Sequence, residues 1–390
     1  MSLNALKTAS YRDLINDGFD VTNAHDLKRV DDLRRARVDL DYAGRPLILL
    51  GAGSMMARAF VQYCVDHFNV RGIVDNGLSG QELCGQPVIG DETLREVLAV
   101  SPDAIGILCC GSEAPMRHFQ RVWGDGGQPL LFYFEVMTTF PKGFDGGVRV
   151  NDLLAYGDLD ILASVQAFGR KILSDPESRK VLDALMIYRL TWDEAALEPV
   201  RRPIEGVYFD NELCAPNERE IFVDGGAFDG DTVRQFIART GRQYRHIHAF
   251  ELDPINVDSL RAKTADVRDI SVHAAGLWSH ADSIGFETTG AMGSAINQAS
   301  EVRLPVDALD NMNLGEITFV KFDIEGAEGP ALDGMTRTIT DYKPKMALSA
   351  YHKADDIPVL AQKLLDLRPD YRFELRHYSS MIWETVLYAS

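Results

Sequence analysis

The feature that most constrains this chain is an apolar run broken by a glycine-rich turn. Ile221-Phe222-Val223 leads into Asp224-Gly225-Gly226-Ala227-Phe228-Asp229-Gly230-Asp231-Thr232. An apolar run without alternation suits a strand buried on both faces. Glycines directly after it let the backbone turn tightly and come close to a ligand. A helix is expected next, over Thr232–Arg239. Strand, glycine turn and helix in that order drive the chain toward a parallel α/β sheet, whose ligands bind at the carboxyl ends of the strands.

The same alternation continues to the end. Strands are expected at Ile221–Val223, His246–Phe250, Ser271–Leu277, Ile317–Phe322, Met346–Ala350, Tyr371–Arg376 and Thr385–Tyr388. Helices fit Thr232–Arg239, Pro254–Thr264, Gly329–Ile339 and Ile357–Leu367. Only a turn near Ser379-Ser380 separates the last two strands, so they are expected to pair antiparallel. A first alternation precedes this one: strands at Pro46–Leu50, Val70–Val74, Ala104–Cys110 and Leu130–Val136, with helices at Met55–His67 and Asp91–Ala99. The expected division is a helical lead-in (1–44), a smaller α/β domain (45–145), a helical connector (146–200) and a second α/β domain (201–390). Ser174-Asp175-Pro176-Glu177 reads as a helix start inside the connector.

A length of 390 residues agrees with two or three domains. With 58 acidic against 40 basic residues the net charge is −18, which repels phosphate backbones and anionic lipids. Nucleic acid and membrane insertion are therefore disfavoured as partners, whereas a homodimer is allowed. No apolar h-region stands at the start, and the five cysteines form no CxxC pair, so a cytoplasmic protein with reduced thiols is expected. Cys109 and Cys110 end an apolar run and read as buried strand residues.

Two further stretches carry chemistry. Phe250-Glu251-Leu252-Asp253-Pro254-Ile255-Asn256 puts a carboxylate at the end of the next strand, where it can accept both hydroxyls of a ribose. Phe319-Val320-Lys321-Phe322-Asp323-Ile324-Glu325-Gly326-Ala327-Glu328 ends an apolar strand in carboxylates beside a lysine, a costly burial unless the charges line a site. Asp323 can equally be a structural carboxylate paired with Lys321. His352 follows an apolar strand and is either a site residue or a capping histidine. His246 and His248 share a strand face, and partnered strand histidines fit them better than a metal pair.

These stretches, with Val306-Asp307-Ala308-Leu309 and Glu384-Thr385-Val386-Leu387-Tyr388-Ala389, resemble the FkbM family of methyltransferases over residues 221–390. The lead-in with Tyr208-Phe209 is also similar to longer members. The resemblance implies a Rossmann-like class I methyltransferase fold, with a seven-stranded sheet ending in an antiparallel strand, behind a smaller Rossmann-like α/β domain and a helical connector. It implies S-adenosyl-L-methionine as cofactor. Asp224, Gly225, Gly226, Ala227, Phe228, Gly230 and Thr232 would form the turn around its methionine part, and Glu251 would hold its ribose. Asp253 and Asn256 would support that loop, and Ala275 and Gly276 would wall the adenine. Phe228 departs from the pattern, because members often carry a polar Asn there. Transfer to an alcohol needs alignment and a base. Asp323 is the leading base, with Glu325 and His352 next. Mg²⁺ held by Asp323, Glu325 and His352 stays open.

In the first α/β domain, Leu50-Gly51-Ala52-Gly53-Ser54 follows a strand, and Asp75 ends the next one. This is a nucleotide-binding pattern that does not say which nucleotide. Gly72-Ile73-Val74-Asp75-Asn76 and Leu83-Cys84-Gly85-Gln86-Pro87-Val88-Ile89-Gly90 resemble the nucleotide-sugar-binding domain of sugar acyltransferases. The expected function is methyl transfer to a hydroxyl of a sugar, nucleotide-sugar or glycan. The alternatives are an NAD(P)-binding oxidoreductase built on Gly51, Gly53, Ser54 and Asp75, or a non-catalytic nucleotide-sugar-binding protein.

Overall fold

A computed structural model describes residues 3–54, 57–124, 127–140, 155–287, 295–296 and 300–390. The expected helical residues Met55, Met56 and 151–154 lie outside them. The chain forms two compact units, Met1–Ala163 with Asp183–Pro199, and Ser164–Leu182 with Val200–Ser390.

The first unit holds strands β1 (Leu47–Leu50), β2 (Val70–Val74), β3 (Glu82–Leu83), β4 (Gln86–Ile89), β5 (Ile105–Leu108) and β6 (Leu130–Phe132). They form one sheet in the order β3-β4-β2-β1-β5-β6, parallel except for β3. Its centre is β1, all four residues of which are buried, as an unbroken Leu-Ile-Leu-Leu run requires. The helices Arg58–His67 and Leu94–Val100 follow β2's neighbours, and Leu3–Asp17 and Ala24–Val38 precede the sheet. The strand expected over Leu130–Val136 stops at Phe132, and a helix runs over Tyr133–Met137. Glu135 explains the stop: its carboxylate accepts the Phe132 N–H at 2.6 Å, which caps a helix rather than extending a strand.

The second unit carries β7 (Ile221–Gly225), β8 (His246–Glu251), β9 (Ile270–Ala274), β10 (Gly276–Leu277), β11 (Asp282–Glu287), β12 (Ala295–Ile296), β13 (Arg303–Asp307), β14 (Phe319–Phe322), β15 (Lys345–Ser349), β16 (Phe373–His377) and β17 (Thr385–Ala389). Seven of them form the main sheet, β16-β17-β15-β14-β7-β8-β9. Only β17 runs against its neighbours β15 and β16. The helix Asp231–Arg239 buries Val233, Phe236 and Ile237, a spacing that puts all three on one face. Phe236 stacks on Phe222 of β7 with centroids 4.3 Å apart. Burying a phenyl ring of that kind contributes about 2–3 kcal/mol.

Two expected elements are split. The strand over Ser271–Leu277 leaves the main sheet at Ala275, and Gly276-Leu277 pairs with Val306-Asp307 in a second, four-stranded sheet. A Cβ on Gly276 would stand 2.9 Å from Val306, so the pairing needs glycine. The helix over Gly329–Ile339 divides into Glu328–Asp333 and Thr336–Tyr342. Gly334 passes so close to the Trp278 carbonyl that a Cβ would lie 1.9 Å from it. Asp310 then accepts the Arg337 and Thr338 N–H groups at 2.7 and 3.0 Å, starting the second helix. Among the described residues no helix is long and apolar enough to cross a membrane.

Candidate active site

The carboxyl ends of β7, β8, β14 and β15 meet at one edge of the main sheet. Asp224 is fully buried at the end of β7. It lies 3.1 Å from Nζ of Lys321 on β14, within ion-pair range, yet neither of its oxygens has a hydrogen-bond partner. The Lys321 ammonium also donates to the carbonyls of Gly225 and Gly226 at 3.2 and 2.8 Å. Burial pushes the Asp224 carboxyl up to about 6, against the pull of Lys321. Burial works against the Lys321 ammonium too, but Asp224 and Asp323 outweigh it and hold it above the ordinary lysine value.

The turn after Asp224 cannot be built without glycine. Gly226 has φ +75°, and a Cβ there would stand 1.9 Å from the Asp323 carbonyl. Gly230, at φ +90°, leads directly into the helix. Ala227 and Thr232 are buried beside it, while Phe228 adopts φ +46° without being glycine. That strain is held by Glu251, whose Oε2 accepts the Phe228 N–H at 2.8 Å and whose Oε1 accepts the Asp253 N–H at 2.8 Å. Burial raises the Glu251 carboxyl, against these backbone hydrogen bonds. Asp253 caps the helix Pro254–Lys263 through the Ile255 N–H at 2.9 Å, and Asn256 is buried in its first turn. The structure thus brings together the β7 turn and Glu251, while Ala275 and Gly276 stand where the chain passes between its two sheets.

Asp323 follows β14 and is half-buried. Tyr208 donates to its Oδ2 at 2.9 Å and Tyr351 to its Oδ1 at 2.9 Å. Burial alone would raise the carboxyl, but Lys321, His352 and the two tyrosine hydroxyls overcome it and hold Asp323 below the usual range. His352 lies between two carboxylates, with Nε2 3.5 Å from Asp323 and Nδ1 3.1 Å from the buried Glu328. The Nδ1 contact is an ion pair without hydrogen-bond geometry. Burial disfavours the imidazolium, yet Glu328 and Asp323 push His352 up to about 10. Glu325 is exposed, with φ +56°.

Tyr208, Tyr351, Glu328 and Glu384 belong to this cluster, and no sequence reading assigned them a role. Tyr208 lies 115 positions from Asp323, and a lone tyrosine gives no periodic or motif signal at that distance. Glu328 stood at the end of the quoted carboxylate run and could have been weighed with it.

Asp323, Glu328 and His352 are the group of three metal-capable side chains among the described residues, each with a ligand atom within 4.8 Å of the others. The expected second carboxylate, Glu325, gives way to Glu328. The set does not fit Mg²⁺. That ion takes oxygen ligands in an octahedron, whereas here an imidazole stands between the two carboxylates. His246, His248 and His273 find their partners within the sheet: His246 meets Ser271 at 2.9 Å, and His248 meets His273 at 3.3 Å. All five cysteines are free, and burial raises the Cys109 thiol well above its ordinary value.

In the first unit, Gly51 has φ +70° and its missing Cβ would meet the Cys110 sulfur at 2.4 Å, so packing alone demands a glycine there. Asp75 accepts the N–H groups of Gly53, Gly77 and Leu78 at 2.9, 2.9 and 3.2 Å. Its carboxylate therefore ties the loop after β1 to the turn after β2, and Ser54 lies half-buried in the first of these.

A doubly wound sheet with a glycine turn at its first strand and a carboxylate at its second gives the second unit an α/β fold of the methyltransferase kind. The family model for the methyltransferase FkbM domain matches residues 224–375. The crystal structure of methyltransferase FkbM from Methylobacillus flagellatus KT is similar over 99% of both chains, at 26% identity and a TM-score of 0.70. An rRNA methylase from Streptococcus thermophilus shares 13% identity over 46% of this chain and 88% of its own, with a TM-score of 0.31. A fibrillarin from Aeropyrum pernix in complex with S-adenosyl-L-methionine shares 12% identity over 46% of this chain and 70% of its own, with a TM-score of 0.30. No curated protein matches the sequence.

Proposed function

We propose that the protein is an S-adenosyl-L-methionine-dependent O-methyltransferase acting on a hydroxyl of a sugar, nucleotide-sugar or glycan. The observation that carries the reading is the Asp224 carboxylate, fully buried under a glycine turn, with Lys321 at 3.1 Å as its one ion-pair partner among the described residues. A buried carboxylate in that state is costly, and an incoming ammonium would satisfy it. The methionine part of the cofactor offers such a group. Gly226 and Gly230 let the turn fold closely around Asp224, and Glu251 keeps lone pairs for two ribose hydroxyls. Asp253 and Asn256 hold the Glu251 loop, and Phe228 packs beside it.

The bound cofactor would supply a methyl group on a positively charged sulfur. The chain's own residues do the rest. The β7 turn and Glu251 fix the donor. Asp323, held ionised by Tyr208 and Tyr351, accepts a hydrogen bond from the acceptor hydroxyl and orients it, since a carboxylate has room for more than two such bonds. His352 keeps Asp323 ionised, and as a cation it is not itself a base. The sugar class of the acceptor rests on the likeness of the first unit to nucleotide-sugar-binding domains.

Calorimetric titration with S-adenosylhomocysteine, beside NAD and UDP-sugars, tests this reading. The homocysteine product should bind wild-type protein, and Glu251→Ala should weaken it at least tenfold, the loss of about 1.4 kcal/mol expected from hydrogen bonds to a charged group. Binding of NAD with no binding of the product would sink the proposal.

A further inference from the structure

Glu384 stands between β16 and β17, opposite the carboxyl end of β15. Its backbone is pinned on both sides. Its own carbonyl accepts the Tyr378 N–H at 3.0 Å, and the carbonyl of the next residue, Thr385, accepts the Ala350 N–H at 2.8 Å. It is held at φ +61°, a conformation that residues with a side chain rarely adopt. Strain of this kind persists where the surroundings impose it, and here it holds Glu384 beside the residues that follow β15. That carboxylate is half-buried and makes no hydrogen bond or ion pair among the described residues. Asp323, by contrast, has a tyrosine hydroxyl on each oxygen.

The charged and titratable groups around Glu384 come from every side of the cluster. Lys321 and Asp323 come from β14, His352 and Tyr351 from the segment after β15, Tyr208 from the segment before β7, and Asp231 from the helix after the glycine turn. Burial raises the Glu384 carboxyl most. Asp323 and Asp231 add to this against Lys321 and His352, and the carboxyl stands at about 8.

We infer that Glu384 is a charge-responsive proton acceptor, protonated in the free protein, ionised when a positively charged methyl donor enters the site, and protonated again as that charge is lost. This rests on the methyltransferase reading. The balance closes. The carbon–sulfur bond breaks and its electron pair stays on sulfur, while a carbon–oxygen bond forms. The hydroxyl proton passes to Glu384. One positive sulfur and one carboxylate become a neutral thioether and a neutral carboxylic acid. Glu384 thus holds a proton least when the donor is present and most when it is spent.

An opposite charge within about 6 Å lowers a carboxyl by roughly 1 to 3 pK units. At pH 7.5 that shift releases roughly half to three quarters of a proton. Titration of wild-type protein with S-adenosylmethionine and with S-adenosylhomocysteine, each in buffers of different ionisation enthalpy, counts those protons. The charged donor should release that much more than the uncharged product, with the excess fading as pH falls below the lowered value of the carboxyl. In Glu384→Gln the excess should vanish while both ligands still bind. Equal proton counts for the two ligands in wild-type protein overturn the inference without any variant, as does an excess that survives in Glu384→Gln. If neither ligand binds wild-type protein, the methyltransferase reading falls and takes this one with it.

Discussion

His352, pinned between Glu328 at 3.1 Å and Asp323 at 3.5 Å, makes a specific demand on pH. Its folded value of about 10 exceeds the ordinary value of 6.5. A raised value means the folded state binds the proton more tightly. The stabilisation is therefore complete below pH 6.5 and is lost as pH rises through about 10. Urea unfolding of wild-type protein should weaken across that window, by up to several kcal/mol at ~1.4 kcal/mol per unit. His352→Gln should flatten the profile there, and an unchanged slope would remove the imidazolium from the account. His352 was visible in the sequence as a histidine after an apolar strand, and so were Asp224, Glu251 and Asp323 at strand ends. Their partners were not. Glu328 stood in the same run as Asp323, but Tyr208 is brought in from 115 positions away, which leaves no spacing to read. A hydrogen-bonded carboxylate and a free one look alike in a sequence, so the contrast between Asp323 and Glu384 needed coordinates.

At the scale of elements, β16 would be an open sheet edge, with unpaired backbone groups. The chain covers it. Leu173 bridges Phe373, the Ser174 N–H reaches the Phe373 carbonyl at 3.0 Å, and Arg201 and Arg202 pair with His377. The fully buried Ser178 hydroxyl accepts the Leu375 N–H at 2.8 Å and an Arg376 N–H at 2.7 Å. Asp175 starts this helix as its composition suggested, accepting the Ser178 N–H at 3.0 Å. Ser178→Ala should cost about 1–3 kcal/mol in urea unfolding, because it leaves a buried N–H unpaired. A loss below about 0.5 kcal/mol would mean that water replaces the hydroxyl. Hydrophobic runs and glycine turns made the strands and most helices of both units legible. The second, four-stranded sheet was not, because its strands are short and its pairing hangs on single glycines such as Gly276. The break at Gly334 likewise depends on a distant carbonyl.

For the whole molecule, the second unit is assembled from two stretches of chain, Ser164–Leu182 and Val200–Ser390. A fragment of residues 201–390 contains all seven strands of the main sheet and every residue around Asp323, yet it lacks Leu173, Ser174 and Ser178. Its β16 edge would be bare, and bare edges pair with other chains. Sedimentation velocity should find that fragment associating where the full chain stays uniform. A fragment that sedimented as one small species would show the covering to be dispensable.

The covered edge also bears on how such a protein can change over generations. A recombination event that cut at 200 would deliver the glycine turn and the Asp323 cluster, but leave behind the strip that seals the sheet. Inheritance in a single piece is then favoured over shuffling of the second unit into new partners, and variety has to arise by substitution within the chain.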